Sequence, residues 1–195
     1  MDTAIIILPA LFRLLYGTGL RIGETLALKN KDINLDDNYL VVLDSKNGKE
    51  RMIPISASLS KVLKEYVKYR NLMPLPISNE NRFFITLSGY GCNRNHVRKW
   101  FRKILWSAGI SLDNYGPRLH DLRHTFSVHT LAMMTESGTD LYCSLPILSA
   151  YLGHQSLEAT NGYVRLTSDM YPGLLKDVDL ICLNVFPNTE IYATH

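Results

Sequence analysis

His120 and Arg123 stand three residues apart in Leu119-His-Asp-Leu-Arg123, a spacing that puts both on one face of a helix. An arginine guanidinium offers a planar fork of donors that fits two phosphate oxygens at once. A neighbouring imidazole can donate to a third oxygen or move a proton. The pair is therefore a candidate phosphate site, but HxxR alone is a weak motif. A solvated helix with an ion pair to Asp121 explains it equally well. Four other residues share that ambiguity. Arg21, in Thr18-Gly-Leu-Arg21-Ile-Gly-Glu24, could be a surface arginine paired with Glu24 at i+3. Lys46 directly precedes Asn47-Gly48, so a hairpin would hold its ammonium at a rigid tip, although lysine is common in such turns. His154 follows Leu152-Gly153 after a helix end, where a polar residue needs no special reason. Tyr163 is one of 11 tyrosines, and a lone tyrosine is far more often core or surface than nucleophile.

The elements around these residues are legible from period and punctuation. Leu11, Leu14 and Leu15 predict a helix that stops at Gly17-Thr18-Gly19. Thr18 is placed to cap a second helix whose apolar side is Ile22, Leu26 and Ala27. Tyr39 to Leu43 and Arg51 to Ile55 are β-prone, and Asn47-Gly48 between them favours the left-handed backbone of a tight hairpin turn. From Leu59 the spacing of Leu59, Val62, Leu63, Tyr66 and Val67 predicts a helix, with Lys61, Lys64 and Lys68 outward. A short strand is expected at Arg82 to Leu87, then a turn at Ser88-Gly-Tyr-Gly91. The next helix, about Arg94 to Ala108, turns Val97, Phe101, Ile104, Leu105 and Ala108 inward. Arg94, Arg98 and Arg102 then line its outer face. Further helices are expected around Leu119 to Met134 and Pro146 to Leu152, and another opened by Ser156. The fold class is mainly α with a small antiparallel sheet (α+β).

Composition narrows the setting. The chain has 195 residues, enough for one domain with a sizeable core. No apolar run approaches the length of a membrane span, and the start lacks the basic leader of a signal peptide. Cys92, Cys143 and Cys182 are odd in number and widely spaced. That argues against a disulfide framework and a zinc site, and for a reducing, cytoplasmic setting. The net charge is +3, but the residues from Leu166 onward carry −3, leaving +6 on residues 1–165. Between Asn81 and Leu112 there are six cations and no acid. A polyanion suits that face, as does plain solvation.

Order and spacing lift these weak signals together. The chain reads Tyr16-Gly-Thr-Gly-Leu-Arg21-Ile-Gly-Glu24, then Lys46-Asn-Gly-Lys-Glu-Arg51-Met-Ile-Pro54. Leu119-His120-Asp-Leu-Arg123-His-Thr-Phe126 follows, then Leu152-Gly153-His154, and Tyr163 nine residues on. In five successive boxes over about 150 residues this resembles the tyrosine recombinases of the phage integrase family. Two departures are the Asn47-Gly48 order and the Asn161-Gly162 lead into Tyr163.

The resemblance implies a tyrosine recombinase catalytic-domain fold over residues 1–172. It implies a C-terminal tail, 173–195, that docks in cis or on a neighbouring protomer. A DNA-clamping N-terminal domain, usual in the family, is expected to be absent from these 195 residues, because Arg21 lies close to their start. Tyr163 would attack the scissile phosphate to give a 3′-phosphotyrosine. Arg21 and Arg123 would clamp the non-bridging oxygens, and His120 would take or relay the tyrosine proton. His154 would donate a hydrogen bond to the phosphate, and Lys46 would protonate the departing 5′-oxygen, with Lys49 as its rival across the turn. Glu24 would orient Arg21 or His120, and Arg94, Arg98 and Arg102 would contact the DNA backbone. The implied partners are double-stranded DNA and further copies of the chain, tetrameric in the active complex and monomeric in isolation, with no membrane. Neither a cofactor nor a metal is expected, since the cations of the site supply the positive charge. The alternatives are a type IB topoisomerase-like enzyme that relaxes supercoils, and a catalytically silent DNA-binding relative.

Overall fold

A computed structural model describes residues 3–43, 50–111, 116–154 and 163, without the side chains of residues 3–5, 141 and 142. Two antiparallel strands, β2 (Tyr39–Leu43) and β3 (Glu50–Pro54), pair from Tyr39↔Pro54 to Leu43↔Glu50, and a two-residue β1 (Ile33–Asn34) adds to the outer edge of β2. Leu40 and Val42 of β2 and Ile53 of β3 are buried while their neighbours are not, the period-2 pattern of a half-buried sheet. Helices α1 (Thr3–Thr18), α2 (Ile22–Ala27) and α3 (Ala57–Asn71) share the core with it. Leu11, Leu14 and Leu15 meet Leu59, Leu63 and Tyr66 there. Ser56 caps α3 by accepting from the Leu59 amide.

Three further helices complete the described chain: α4 (Arg94–Ser107), α5 (Asp121–Glu136) and α6 (Leu141–Leu152). None of the helices is long and apolar enough to cross a membrane among the described residues. The chain divides into two compact units. One holds Met1–Phe126 with Tyr151–Gly153, and the other holds Ser127–Ala150 with His154 and Tyr163. In the second, Val128, Leu131, Ala132 and Leu148 are buried.

Several local expectations are corrected. Thr18 ends α1 instead of capping α2, since its buried hydroxyl donates back to the Leu14 carbonyl at 2.6 Å. The N-terminal amide of α2 is served by Glu24, which accepts from the Arg21 N–H at 2.9 Å. Residues 82–87 form two isolated bridges and no strand. Phe83, Phe84 and Ile85 are all buried, so the segment has no alternating face, and its backbone bonds are split between scattered backbone partners and side chains. The Tyr66 hydroxyl donates to the Phe83 carbonyl and accepts from the Ile85 amide, and Arg70 also donates to Phe83. On α4, Val97 and Leu105 are buried, but Ile104 and Ala108 are exposed. Helix α6 begins five residues earlier than expected and carries Pro146 inside it. Asp140 starts it, its carbonyl accepting from the Ser144 amide and hydroxyl. The Asn47-Gly48 turn and the Ser156 helix lie outside the described residues.

Gly19 ends α1 at φ +61°, and a Cβ there would stand 2.3 Å from the Phe126 ring. Gly109, at φ +72°, has open space where its Cβ would be. Gly109→Ala should therefore lose only the left-handed penalty of about 1–2 kcal/mol. Gly19→Ala should lose that and a further ~1–3 kcal/mol for overpacking. Chemical denaturation of the two variants measures the difference; equal losses would show that Phe126 yields freely.

Candidate active site

The first unit gathers four of the residues singled out in the sequence. Arg123 sits in the first turn of α5 and is buried, at 2% exposure. Its guanidinium donates to the Gly19 carbonyl at 2.7 Å and to the Leu152 carbonyl at 2.9 Å. It is not the solvated partner of Asp121, which instead bonds Arg118 through both backbone and side chain. Those two bonds cap α5, so His120 lies in the turn just before the helix, with its carbonyl accepting from the Arg123 amide.

Arg21 is exposed at 42% of its side chain, and Glu24 is 11% exposed. One Glu24 oxygen accepts from Arg21 Nη1 at 3.1 Å and from Arg51 Nη2 at 3.0 Å, while the other accepts from the Arg21 amide. Arg51 has no role in the sequence-based reading, although its position held a signal. It stands two residues before Ile53, on the inward face of β3, where an arginine needs polar partners. Its Nε donates to the Tyr151 carbonyl at 3.0 Å.

The imidazoles of His120 and His124 meet edge to face, with centroids 4.7 Å apart. Both pKa values are lowered from the ordinary histidine value. For His120 the causes are partial loss of solvent, then the charges of His124 and Arg123, with a smaller contribution from Arg21. For His124, loss of solvent leads, and Asp121 opposes it. A neutral imidazole at neutral pH is able to accept a proton. Phe126 stacks on Tyr151 with centroids 5.6 Å apart. Burial pushes the Tyr151 phenol up to about 12.

The second unit brings His154 and Tyr163 together, their rings stacked at 6.0 Å and 15°. Tyr163 is 5% exposed. The His154 amide closes the end of α6 by donating to the Ser149 carbonyl. Lys46 and Lys49 lie outside the described residues. Arg94, Arg98 and Arg102 are all exposed on α4, with Lys99 and Lys103 on the same helix. Among the described residues no three His, Cys, Asp or Glu side chains gather as a metal-ligand set.

Comparison with known proteins identifies the family and the fold. The model of the phage integrase family matches residues 2–170. The tyrosine recombinase XerA of Pyrococcus horikoshii is 33% identical over 161 residues, covering 80% of this chain and 49% of that protein. XerA of Pyrococcus furiosus is 34% identical over 161 residues, again 80% of this chain and 49% of its own. The chain thus spans about half the length of the curated relatives it matches. The crystal structure of XerA recombinase superposes with a TM-score of 0.67 at 23% identity, over 88% of this chain and 60% of that one. XerH site-specific recombinase bound to its difH substrate superposes with a TM-score of 0.65 at 24% identity, over 84% and 44%. The fold is therefore that of tyrosine recombinase catalytic domains, and the chain belongs to the phage integrase family.

Proposed function

We propose that this is the catalytic domain of a site-specific DNA recombinase or integrase that cleaves and rejoins strands through a 3′-phosphotyrosine on Tyr163. The observation that carries this reading is the anchoring of Arg123. One buried guanidinium is tied to the carbonyl two residues before Arg21 and to the carbonyl two residues before His154. These two bonds fix the direction of the guanidinium, whose planar fork of donors suits phosphate oxygens.

In the proposed reaction the Tyr163 oxygen attacks phosphorus as its proton passes to His120. An ordinary phenol, with a pKa of about 10, needs such a base or a strong field. The lowered pKa of His120 supports the role, because it keeps the acceptor form at neutral pH. Arg21 and Arg123 hold the non-bridging oxygens as charge builds on them, and His154 donates to the phosphate. The bond to the 5′-oxygen breaks, and Lys46 supplies the proton that leaves with it. Rejoining reverses the step: a 5′-hydroxyl attacks the phosphotyrosine and the phenol is released. Two arginines and a lysine give the positive charge that metal ions give elsewhere. The exposed row of Arg94, Arg98 and Arg102 suits contact with the DNA backbone, adding affinity and register more than sequence choice. The complex of the Tn1549 transposon integrase with circular intermediate DNA, which superposes with a TM-score of 0.61, supports DNA as the partner, here read as double-stranded. Assembly on DNA, as a tetramer with the 173–195 tail packed against protein in cis or on a neighbour, belongs to the same proposal.

The substrate for testing it is nicked DNA bearing the element's own junction, from which the 5′-end diffuses away and traps the adduct. The adduct should form in excess chelator and be lost in Tyr163→Phe. Loss on chelation with recovery on adding magnesium would overturn the mechanism in favour of a metal nuclease. Arg21→Ala or Arg123→Ala should slow cleavage by on the order of 10²–10³.

Lys46 has its own test. An alcohol leaving group has a pKa near that of water, about 15.7, and requires an acid. A bridging sulfur leaves as a thiolate of pKa about 8.5 and does not. Lys46→Ala should be severely slowed on normal DNA and largely restored on 5′-sulfur-bridged DNA. Rescue of Lys49→Ala instead would move the acid across the hairpin, and equal defects on both substrates would remove Lys46 from the role.

A further inference from the structure

We infer that Arg51 is a positioning residue that sets Arg21 for the phosphate through Glu24, an inference that rests on the recombinase reading above. Arg51 occupies an inward site on β3 and is only 15% exposed. Each part of its guanidinium meets a different piece of the first unit. Nη2 donates to Glu24 at 3.0 Å and Nε to the Tyr151 carbonyl at 3.0 Å. Nη1 is buried without a hydrogen-bond partner among the described residues. It lies over Gly153, 2.9 Å from where a Cβ would stand, and Gly153 holds φ +66°. A side chain larger than hydrogen at 153 would collide with the guanidinium, so the two are fitted to one another.

The consequence is electrostatic as well as steric. Arg21 and Arg51 both donate to the same Glu24 oxygen. Three charges in contact, two positive and one negative, leave one positive charge, and it resides on the more exposed arginine, Arg21. Without Arg51, Glu24 would balance Arg21 alone, and the pair would offer a phosphate no net charge. Glu24 would also lose its hold from the buried side and could swing with Arg21. Lysine cannot replace this fork, because a single ammonium on a flexible stem does not span a carboxylate and a carbonyl in fixed directions.

The test is single-turnover cleavage of the same nicked DNA, with DNA affinity and thermal unfolding measured alongside. Arg51→Met keeps the aliphatic stem and removes the fork. Cleavage should slow on the order of 10–10²-fold, as when an outer partner of a reacting group is lost, while DNA affinity stays within a few-fold. In the Glu24→Gln background Arg51→Met should add little further loss, because both act through one link. The defect should persist on 5′-sulfur-bridged DNA, because Arg21 acts on the non-bridging oxygens. Full additivity with Glu24→Gln, rescue by the bridging sulfur, or a lowered unfolding temperature with an unchanged rate would each overturn the inference. Rescue in particular would place Arg51 behind the β2–β3 hairpin and Lys46 instead. If Arg51→Met does not fold, Arg51→Lys takes its place under the same criteria. A wild-type protein that forms no adduct refutes the recombinase reading and the inference together; a wild-type adduct with an unchanged Arg51→Met rate refutes the inference alone.

Discussion

The placement of the Arg123 guanidinium away from solvent organises everything around it in the first unit. A buried charge is unfavourable unless its donors are met, and here the carbonyls of Gly19 and Leu152 meet them at 2.7 and 2.9 Å. The end of α1, the first turn of α5 and the end of α6 must all arrive at one point for this to happen. Gly19 allows it by turning left-handed, so that Phe126, three residues after Arg123, packs where a Cβ would be. Phe126 in turn stacks on Tyr151, the residue before Leu152, whose carbonyl is the second acceptor for Arg123. One arginine thus reads out whether three chain segments are correctly closed.

Around that anchor two kinds of partner do different things. Backbone carbonyls aim Arg123. The Glu24 carboxylate aims Arg21 but also takes charge away, and Arg51 at the same oxygen restores it. The two imidazoles beside them are held toward the neutral form by lost solvent and by neighbouring cations. An excess of fixed positive charge next to a neutral base is the combination that phosphoryl transfer to an oxygen nucleophile calls for. His154 and Tyr163, stacked in the second unit, supply the remaining chemistry in the proposed reaction.

Much of this was legible in the sequence where the signal is local. The β-prone run Tyr39–Leu43 marked a strand, helical spacing marked α3, and the four-residue repeat of Arg94, Arg98 and Arg102 marked an exposed face of α4. The catalytic candidates emerged from the order of five boxes, none of which was decisive alone. What could not be read depends on partners far along the chain. Arg123 and Gly19 are 104 residues apart, and nothing near Arg123 announces a carbonyl waiting for it. Arg51 and Tyr151 are 100 residues apart. The expected strand at Arg82 to Leu87 failed for a similar reason: its backbone bonds go to partners scattered along the chain, among them Leu28 and the Tyr66 and Arg70 side chains of α3. Thr18 failed more simply, since a hydroxyl at the last residue of a helix can bond backwards as readily as it caps forwards.

The most direct test of the account is to locate the covalent bond itself. Protein trapped on nicked DNA is digested with nuclease and trypsin, and the peptide carrying the residual nucleotide is sequenced by mass spectrometry. The fragment from His124 to Arg165 contains Tyr142, Tyr151 and Tyr163, so fragmentation must choose among them. The account predicts a 3′-nucleotide phosphate on Tyr163 alone. A nucleotide on Tyr142, Tyr151 or any residue outside this peptide would contradict it.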